Sequence, residues 1–289
     1  KTSWWTYLGL ALLLAISKYT MPDDLHPAKP TLQHVWYHGW VTALSTGLGA
    51  VPLIFARELG KRMLGTSNAI ACGMMLSASY SLCREAVTLE PDPHSSLPEA
   101  WRAAIGVAAG LLFIVSTKKV LDGYDDLHLG GLAGLDAKKA LLIVFVMTLH
   151  SFSEGVGIGV SFGGSAGAQL GVLISATLAV HNVPEGLAVA LVLHPRGVSK
   201  CNTALWCVFT SLPQPLMAVP AYLFVEAFLP LLPVGLGFAA GAMFWVACFE
   251  LFVDAVEDTS RLAAVVTTAA SFAVMLQVHS FLDEASHTA

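Results

Sequence analysis

The stretch HSFSEGVGIGVSF at 150–162 decides the fold, and HNVPEGLAVALVL at 181–193 answers it. Each opens on a histidine with a glutamate four residues later, and each runs on in small and apolar residues. An ionisable group inside such a run is expensive at membrane depth, so by default it marks a functional site whose partner should be named. Positions i and i+4 of a helix share a face one turn apart. His150 therefore meets Glu154, and His181 meets Glu185. On adjacent helices the two pairs would offer two imidazole nitrogens and two carboxylate oxygens. That ligand set suits zinc, and also iron, manganese or cadmium. The competing reading is a buried ion pair that steadies two helices, and a lone pair would favour it. Two pairs in one spacing and one sequence context weigh against it.

The surroundings of the two motifs fit a membrane-embedded site. Their glycines and alanines allow close backbone approach. Pro184 removes a backbone donor and frees the carbonyl near Val180, which predicts a loosened turn beside the ligands. Ser153, at the matching position of the first motif, predicts a milder bend.

Working outward, eight apolar segments of about one bilayer crossing each follow one another: Trp40–Leu59, Asn68–Val87, Ala100–Leu121, Ala140–Phe162, Ala168–Leu193, Ala204–Val225, Leu231–Phe252 and Ala263–Leu282. The predicted class is all-α, a polytopic transmembrane helical bundle. Residues 40–289 are expected to form a single eight-span domain. Residues 1–39 hold an extra N-terminal span at Trp4–Tyr19, or the remnant of a targeting peptide, followed by a connecting loop. Composition agrees. Charged residues are 12% and hydrophobic residues 55% of the 289, whereas a soluble domain carries about a quarter charged residues. The net charge of −5 comes with no basic block, which excludes a nucleic-acid partner. The five cysteines, Cys72, Cys83, Cys201, Cys207 and Cys248, form no CxxC pair and read as small residues of apolar runs.

Basic residues set the predicted orientation. Arg57, Lys61 and Arg62 lie between spans one and two, and Lys118, Lys119, Lys138 and Lys139 between three and four. Arg196 and Lys200 follow span five, and Arg261 follows span seven. The other side holds Lys18, Lys29, Arg84 and Arg102. The first set of loops therefore faces the cytoplasm or its topological equivalent, and the C-terminus faces away.

HNVPEG at 181–186 and its variant HSFSEG at 150–155 resemble the paired HNxPEG-type motifs of the ZIP (Zrt-, Irt-like protein) metal transporters. The resemblance extends from span one to span eight, through GMMLSASYSL of the second span and GFAAGAMFWVACFELFVD of the seventh. It implies an eight-helix core, a divalent metal as transported substrate without a catalytic cofactor, movement of the ion towards the cytoplasm between the fourth and fifth spans, and a homodimer in which one helix group slides or rocks past a scaffold. Residue by residue, it implies a main metal site of His150, Glu154, His181 and Glu185, with Met75 as a soft contact. A neighbouring second site would use Ser151, Asn182 and Gln214 together with Glu154 and Glu185, and at the first three this chain lacks the acids of other members. Gln214 is flanked by Pro213 and Pro215, so its side chain is expected to turn away from the site. Glu250 and Asp254 match acidic positions along the exit route, with Phe249 where relatives often carry histidine.

Other polar features carry less. His34 and His38 read as a hydrated loop pair before the first span, or as a gathering point for metal. Asp122, Asp125, Asp126 and His128 read as an ordinary acidic loop, and His94, His194 and His279 as interfacial residues. The alternative function is an intramembrane metal-dependent hydrolase. Such enzymes place HExxH on one helix, whereas HxxxE leaves no glutamate free as general base. Axial haem ligation by His150 and His181 would leave the two carboxylates unexplained. The chain is thus expected to be a transporter and not an enzyme.

Overall fold

The computed structural model describes residues 4–25, 27, 29–55, 60–89, 97–123, 128–129, 132–163 and 167–288. Its helices are α1 (Trp4–Thr20), α2 (Leu32–Leu48), α3 (Val51–Phe55), α4 (Lys61–Thr88), α5 (Glu99–Asp122), α6 (Gly134–Gly163), α7 (Gly167–Leu193), α8 (Lys200–Ser211), α9 (Pro213–Leu223), α10 (Val225–Phe228), α11 (Leu232–Val246), α12 (Phe252–Asp258) and α13 (Arg261–Thr288). A 3-10 turn at Leu229–Leu231 precedes α11, and a π turn at Ala247–Leu251 joins α11 to α12. Two short strands, β1 (His128–Leu129) and β2 (Leu132–Ala133), pair antiparallel ahead of α6.

Six stretches are long and apolar enough to cross a membrane: Glu99–Leu121, Ala137–Gly163, Gly167–Leu193, Lys200–Leu223, Leu229–Asp258 and Arg261–Phe281. Two more helices, α2 and α4, pack among them, α2 against α7, α8 and α9 and α4 against α11 and α13. Large apolar side chains such as Leu262 (76% exposed) and Phe281 (70%) lie on the outside of the bundle. A contiguous apolar exterior of this kind needs a lipid solvent. The chain is an integral multi-pass membrane protein.

Helix boundaries differ from the hydropathy reading at several places, among them the helix of the second expected span, which begins at Lys61, not Asn68, and that of the fourth, which begins at Gly134, not Ala140. The first span begins at Leu32, not Trp40. His34 Nδ1 reaches back to the Thr31 amide (3.2 Å) and hydroxyl (2.7 Å), which caps the extra turns with polar residues that hydropathy discounts. His34 and His38 are consequently helical and tie α2 to the preceding segment, His34 Nε2 to the Asp24 carbonyl and His38 Nε2 to that of Leu25. They are not a loop pair. The sixth span is two helices meeting at Leu212, because Pro213 and Pro215 lack the donors to continue α8. The seventh is interrupted by the π turn.

The helices sort into two groups by their closest pairings. In one, α2, α6, α7, α8 and α9 pack on each other; in the other, α4, α5, α11 and α13 do. Glycine lets backbones meet within each group. A Cβ on Gly106 or Gly110 of α5 would run into the carbonyls of Val234 or Phe238 on α11, and one on Gly237 or Gly241 would meet those of Ala103 or Val107. This reciprocal small-residue packing is the usual adhesive of membrane helices, where lipid tails compete with every apolar side chain. Between the groups, α2 and α7 face α4 and α13 across an apolar groove of about 850 Å³ lined by Val41, Met74, Val183, Pro184, Val274 and others. The N-terminal helix α1 docks on the first group, where Thr6 Oγ1 donates to Asn202 Oδ1 (2.5 Å) and Trp40 Nε1 donates to Ser17 Oγ (2.9 Å).

Candidate metal centre

The two motifs lie side by side on α6 and α7. His150 Nε2 is 2.9 Å from Glu185 Oε1 and 3.4 Å from Glu154 Oε1, and His181 Nε2 is 3.1 Å from Glu185 Oε1. One ligand atom from each of the four residues lies within 4.8 Å of the others. All four side chains are buried. Glu154 Oε1 lies near His150 and His181 Nε2 near Glu185, but neither is aimed into a hydrogen bond, so both remain unsatisfied among the described residues. Buried polar atoms of this kind carry a desolvation penalty and call for an explanation. Two carboxylates and two imidazoles converging on one point would be relieved by a cation that accepts a bond from each.

The glycine that follows each glutamate has a local purpose. A Cβ on Gly155 would press on the Gln214 backbone of α9 (2.6 Å from its carbonyl oxygen), and one on Gly186 would strike the Thr46 carbonyl of α2. The glutamates are thus set where neighbouring helices come closest. That approach brings in two further residues. Gln214 Nε2 donates to Glu154 Oε2, and Asn182 Nδ2 donates to Gln214 Oε1 (3.0 Å) and to the Thr42 carbonyl (2.7 Å). Gln214 faces the cluster, contrary to the expectation from its flanking prolines. Pro213 opens α9 at a position where a missing donor is harmless, so the helix that carries Gln214 is regular. Pro184 likewise leaves α7 continuous from Gly167 to Leu193, where a loosened turn was expected. Neighbouring helices hold the residue in place.

The other expected site residues fall differently. Ser151 donates its hydroxyl to the Met147 carbonyl of its own helix (3.0 Å). Met75 is fully buried in the apolar core of α4. Glu250, on the π turn, and Asp254, on α12, form an ion cluster with two lysines. Lys118 Nζ lies 3.0 Å from Glu250 Oε1, and Lys139 Nζ lies 3.3 Å from Glu250 Oε2 and 2.6 Å from Asp254 Oδ2. Lys118 also sits 4.9 Å over the Trp245 ring. Asp125, Asp126, His94 and Arg57 lie outside the described residues, as do the side chains of Asp122 and His128. His194 Nδ1 meets the Val198 carbonyl (2.9 Å) and closes the turn after α7.

His279 departs from its interfacial reading. Its imidazole is 4% exposed on α13, and its ring stacks on His181 at 5.7 Å between centres and 12° between planes. His150 and His181 stand in a similar relation, at 6.2 Å and 22°. Three near-parallel imidazoles therefore run across α6, α7 and α13. A cavity of about 40 Å³ opens beside the cluster, lined by Glu85, His150, Ser153, Glu154 and Thr177 among others.

Comparison with known proteins gives the family. Residues 124–279 match the family described as ZIP zinc transporter. An Arabidopsis thaliana protein provisionally named a zinc transporter is 43% identical over 245 residues, which is 85% of this chain but 38% of that protein. The chain thus spans well under half of that relative's length. Zinc transporter GufA of Myxococcus xanthus is 33% identical over 218 residues, covering 73% of this chain and 84% of GufA. Zinc transporter ZIPB of Bordetella bronchiseptica is 30% identical over 257 residues, covering 83% and 77%. The match takes in both HxxxEG motifs and the helices that bring them together, and the chain belongs to the ZIP zinc transporter family, a family of transporters and not of enzymes.

Proposed function

We propose that this chain carries zinc across the membrane towards the cytoplasm, with iron, manganese or cadmium as alternative substrates, and that His150, Glu154, His181 and Glu185 bind the ion on its way. One observation carries the reading: four buried ligand atoms from two adjacent helices lie within 4.8 Å of one another. Two carboxylates balance the charge of one dication, and two imidazoles favour zinc over harder ions. The names of the bacterial relatives point to the same metal.

The direction rests on the distribution of basic residues. Lys118 of α5 and Lys139 of α6 meet the acids of the π turn and α12, and Gly65 near the start of α4 lies against Asp258 at the end of α12. The basic ends of several helices thus gather at one end of the bundle, which the positive-inside rule puts in the cytoplasm. Glu250 and Asp254 stand at that end, where an ion leaving the cluster would meet them. The same proposal includes eight crossings by the helices of residues 40–289, α1 as a further crossing, and a homodimer, the last on resemblance to the family alone.

Uptake of zinc, iron, manganese and cadmium into liposomes containing the purified chain tests the reading. Zinc accumulation that disappears in Glu154→Ala is the expected result. Wild-type vesicles that take up none of the four metals would overturn it.

A further inference from the structure

The geometry points to Lys139 as a tethered counter-cation of the exit acids: its ammonium occupies the position between Glu250 and Asp254 where a departing dication would otherwise lodge, and so speeds release of the ion. The inference rests on the transport reading above and adds a positioning residue to it.

The first support is the placement of the ammonium. Lys139 Nζ donates to both oxygens of Asp254, at 2.7 and 2.6 Å, and lies 3.3 Å from Glu250 Oε2. One cation thus stands between two carboxylates, as a shared metal ion would. The second is charge. Lys118 takes the other Glu250 oxygen at 3.0 Å, so two lysines cancel two acids and no net charge is left to hold a dication. The third is the cost of the arrangement. Glu250 is buried, and it sits on the π turn, a helix irregularity found often at functional sites. Ion pairs of this partly covered kind contribute little to stability, so a structural tie is a poor reason to bury the acid. The fourth is location. Lys139 reaches from α6 of the first helix group to acids beside the second, and α12 packs on α4 and α13 but not closely on α6. An apolar groove of about 490 Å³ also runs between α5 and α6, lined by Phe113, Thr117, Val120, Leu141 and Phe145.

A dication that reaches these acids carries twice the charge of the ammonium and can displace it. The displaced lysine stays tethered to α6 within reach of the acids, and its charge works against retention of the ion. Displacement also breaks the ion pairs between the helix groups, so arrival of the metal loosens the lysine-rich end of the bundle.

The test pairs equilibrium dialysis of the purified chain against zinc with zinc uptake kinetics in proteoliposomes. The variants are Lys139→Met, Lys139→Arg, and Lys139→Met combined with Asp254→Asn. Wild type should bind one ion per protomer. Lys139→Met should bind a second, and its kcat should fall about tenfold with no rise in KM, a factor that the repulsion between an ammonium and a dication at contact reaches even in water-like surroundings. Lys139→Arg keeps the charge and should bind one ion, and adding Asp254→Asn should return the Met variant to one. Lys139→Gln, which can still donate to Asp254, gives the same reading should the Met variant fail to fold. A zinc count unchanged from wild type in the Met or Gln variant overturns the inference. So does a second ion with kcat at the wild-type level, because the lysine would then play no part in release. If wild type neither binds nor moves zinc, the transport reading has failed; if wild type is active and the Lys139 variants match it in count and rate, only this inference has.

Discussion

Gln214 donates a hydrogen bond to Glu154, one of the two carboxylates on which the transport reading depends. Its own oxygen accepts from Asn182, so the positions neighbouring the main cluster are filled by a neutral amide pair. An amide pair offers oxygen atoms but no charge. A second dication beside the first would be repelled at about 4 Å by roughly 16 kcal/mol at an effective dielectric near 20, and Glu154 and Glu185 are already needed for the first. We therefore expect one tightly bound zinc per protomer. Metal quantification in excess zinc, with anomalous scattering from crystals, checks this, and two full-occupancy neighbouring peaks would refute it. The double variant Gln214→Glu with Asn182→Asp should acquire a second ion.

Each carboxylate is expected to be indispensable, for a different reason. Glu185 Oε1 stands within 3.1 Å of both imidazoles, whereas Glu154 is shared between His150 and Gln214. Glu154→Ala and Glu185→Ala should each lower zinc uptake by about 100-fold or more, since alterations even one shell out from a metal cost up to that much. His150→Ala and His181→Ala should weaken affinity and shift preference away from zinc. Uptake at wild-type level in either glutamate variant, at equal protein in the vesicles, would remove the cluster from the pathway.

Acid should inhibit. The ligands take the metal as neutral imidazole and ionised carboxylate, so protons and zinc compete for the same atoms. The sign follows: occupancy is fullest at neutral pH and falls as pH drops. Zinc uptake should decline between about pH 7 and pH 5, the range through which ordinary imidazole gains its proton. A flat profile over that range would count against imidazole and carboxylate ligation.

Lys139 joins α6 to the π turn and to α12 through one acid on each. Removing its charge with Lys139→Met leaves Glu250 with Lys118 and takes away the lysine that Asp254 meets. The cluster is partly solvent-exposed, so the loss is smaller than for a fully buried pair, about 1–2 kcal/mol. Thermal unfolding of the purified variant should occur a few degrees lower, and adding Glu250→Gln should restore part of the difference. An unchanged midpoint would make the cluster a surface ornament.

The convergence of His150, Glu154, His181 and Glu185 was legible because charge inside an apolar run is conspicuous and a spacing of four fixes the face. The helical class and the later span boundaries were legible for the same reason, from the contrast between lipid-compatible runs and the charges between them. The start of α2 was not, because its first turns hold His34, His38 and the Thr31 cap, which hydropathy counts as loop. Gln214 was misjudged because two flanking prolines suggest distortion, whereas Pro213 begins a fresh helix. The π turn has no sequence signature of its own. The burial of His279 was missed because its partners are remote: Ser81 is 198 residues away in the chain, and a lone histidine near the end of an apolar helix looks like an anchor at the membrane surface.

The glycine contacts also divide the bundle mechanically. Where Gly106 and Gly110 nest against α11, and where Gly155 and Gly186 nest against α9 and α2, backbone lies on backbone and neither helix can shift without a collision. The groove between α2 and α7 on one side and α4 and α13 on the other has no such teeth; it is walled by aliphatic side chains that can rearrange. The molecule is thus two stiff blocks with one pliable seam. His181 stands on one side of that seam and His279 on the other, with their rings in contact across it.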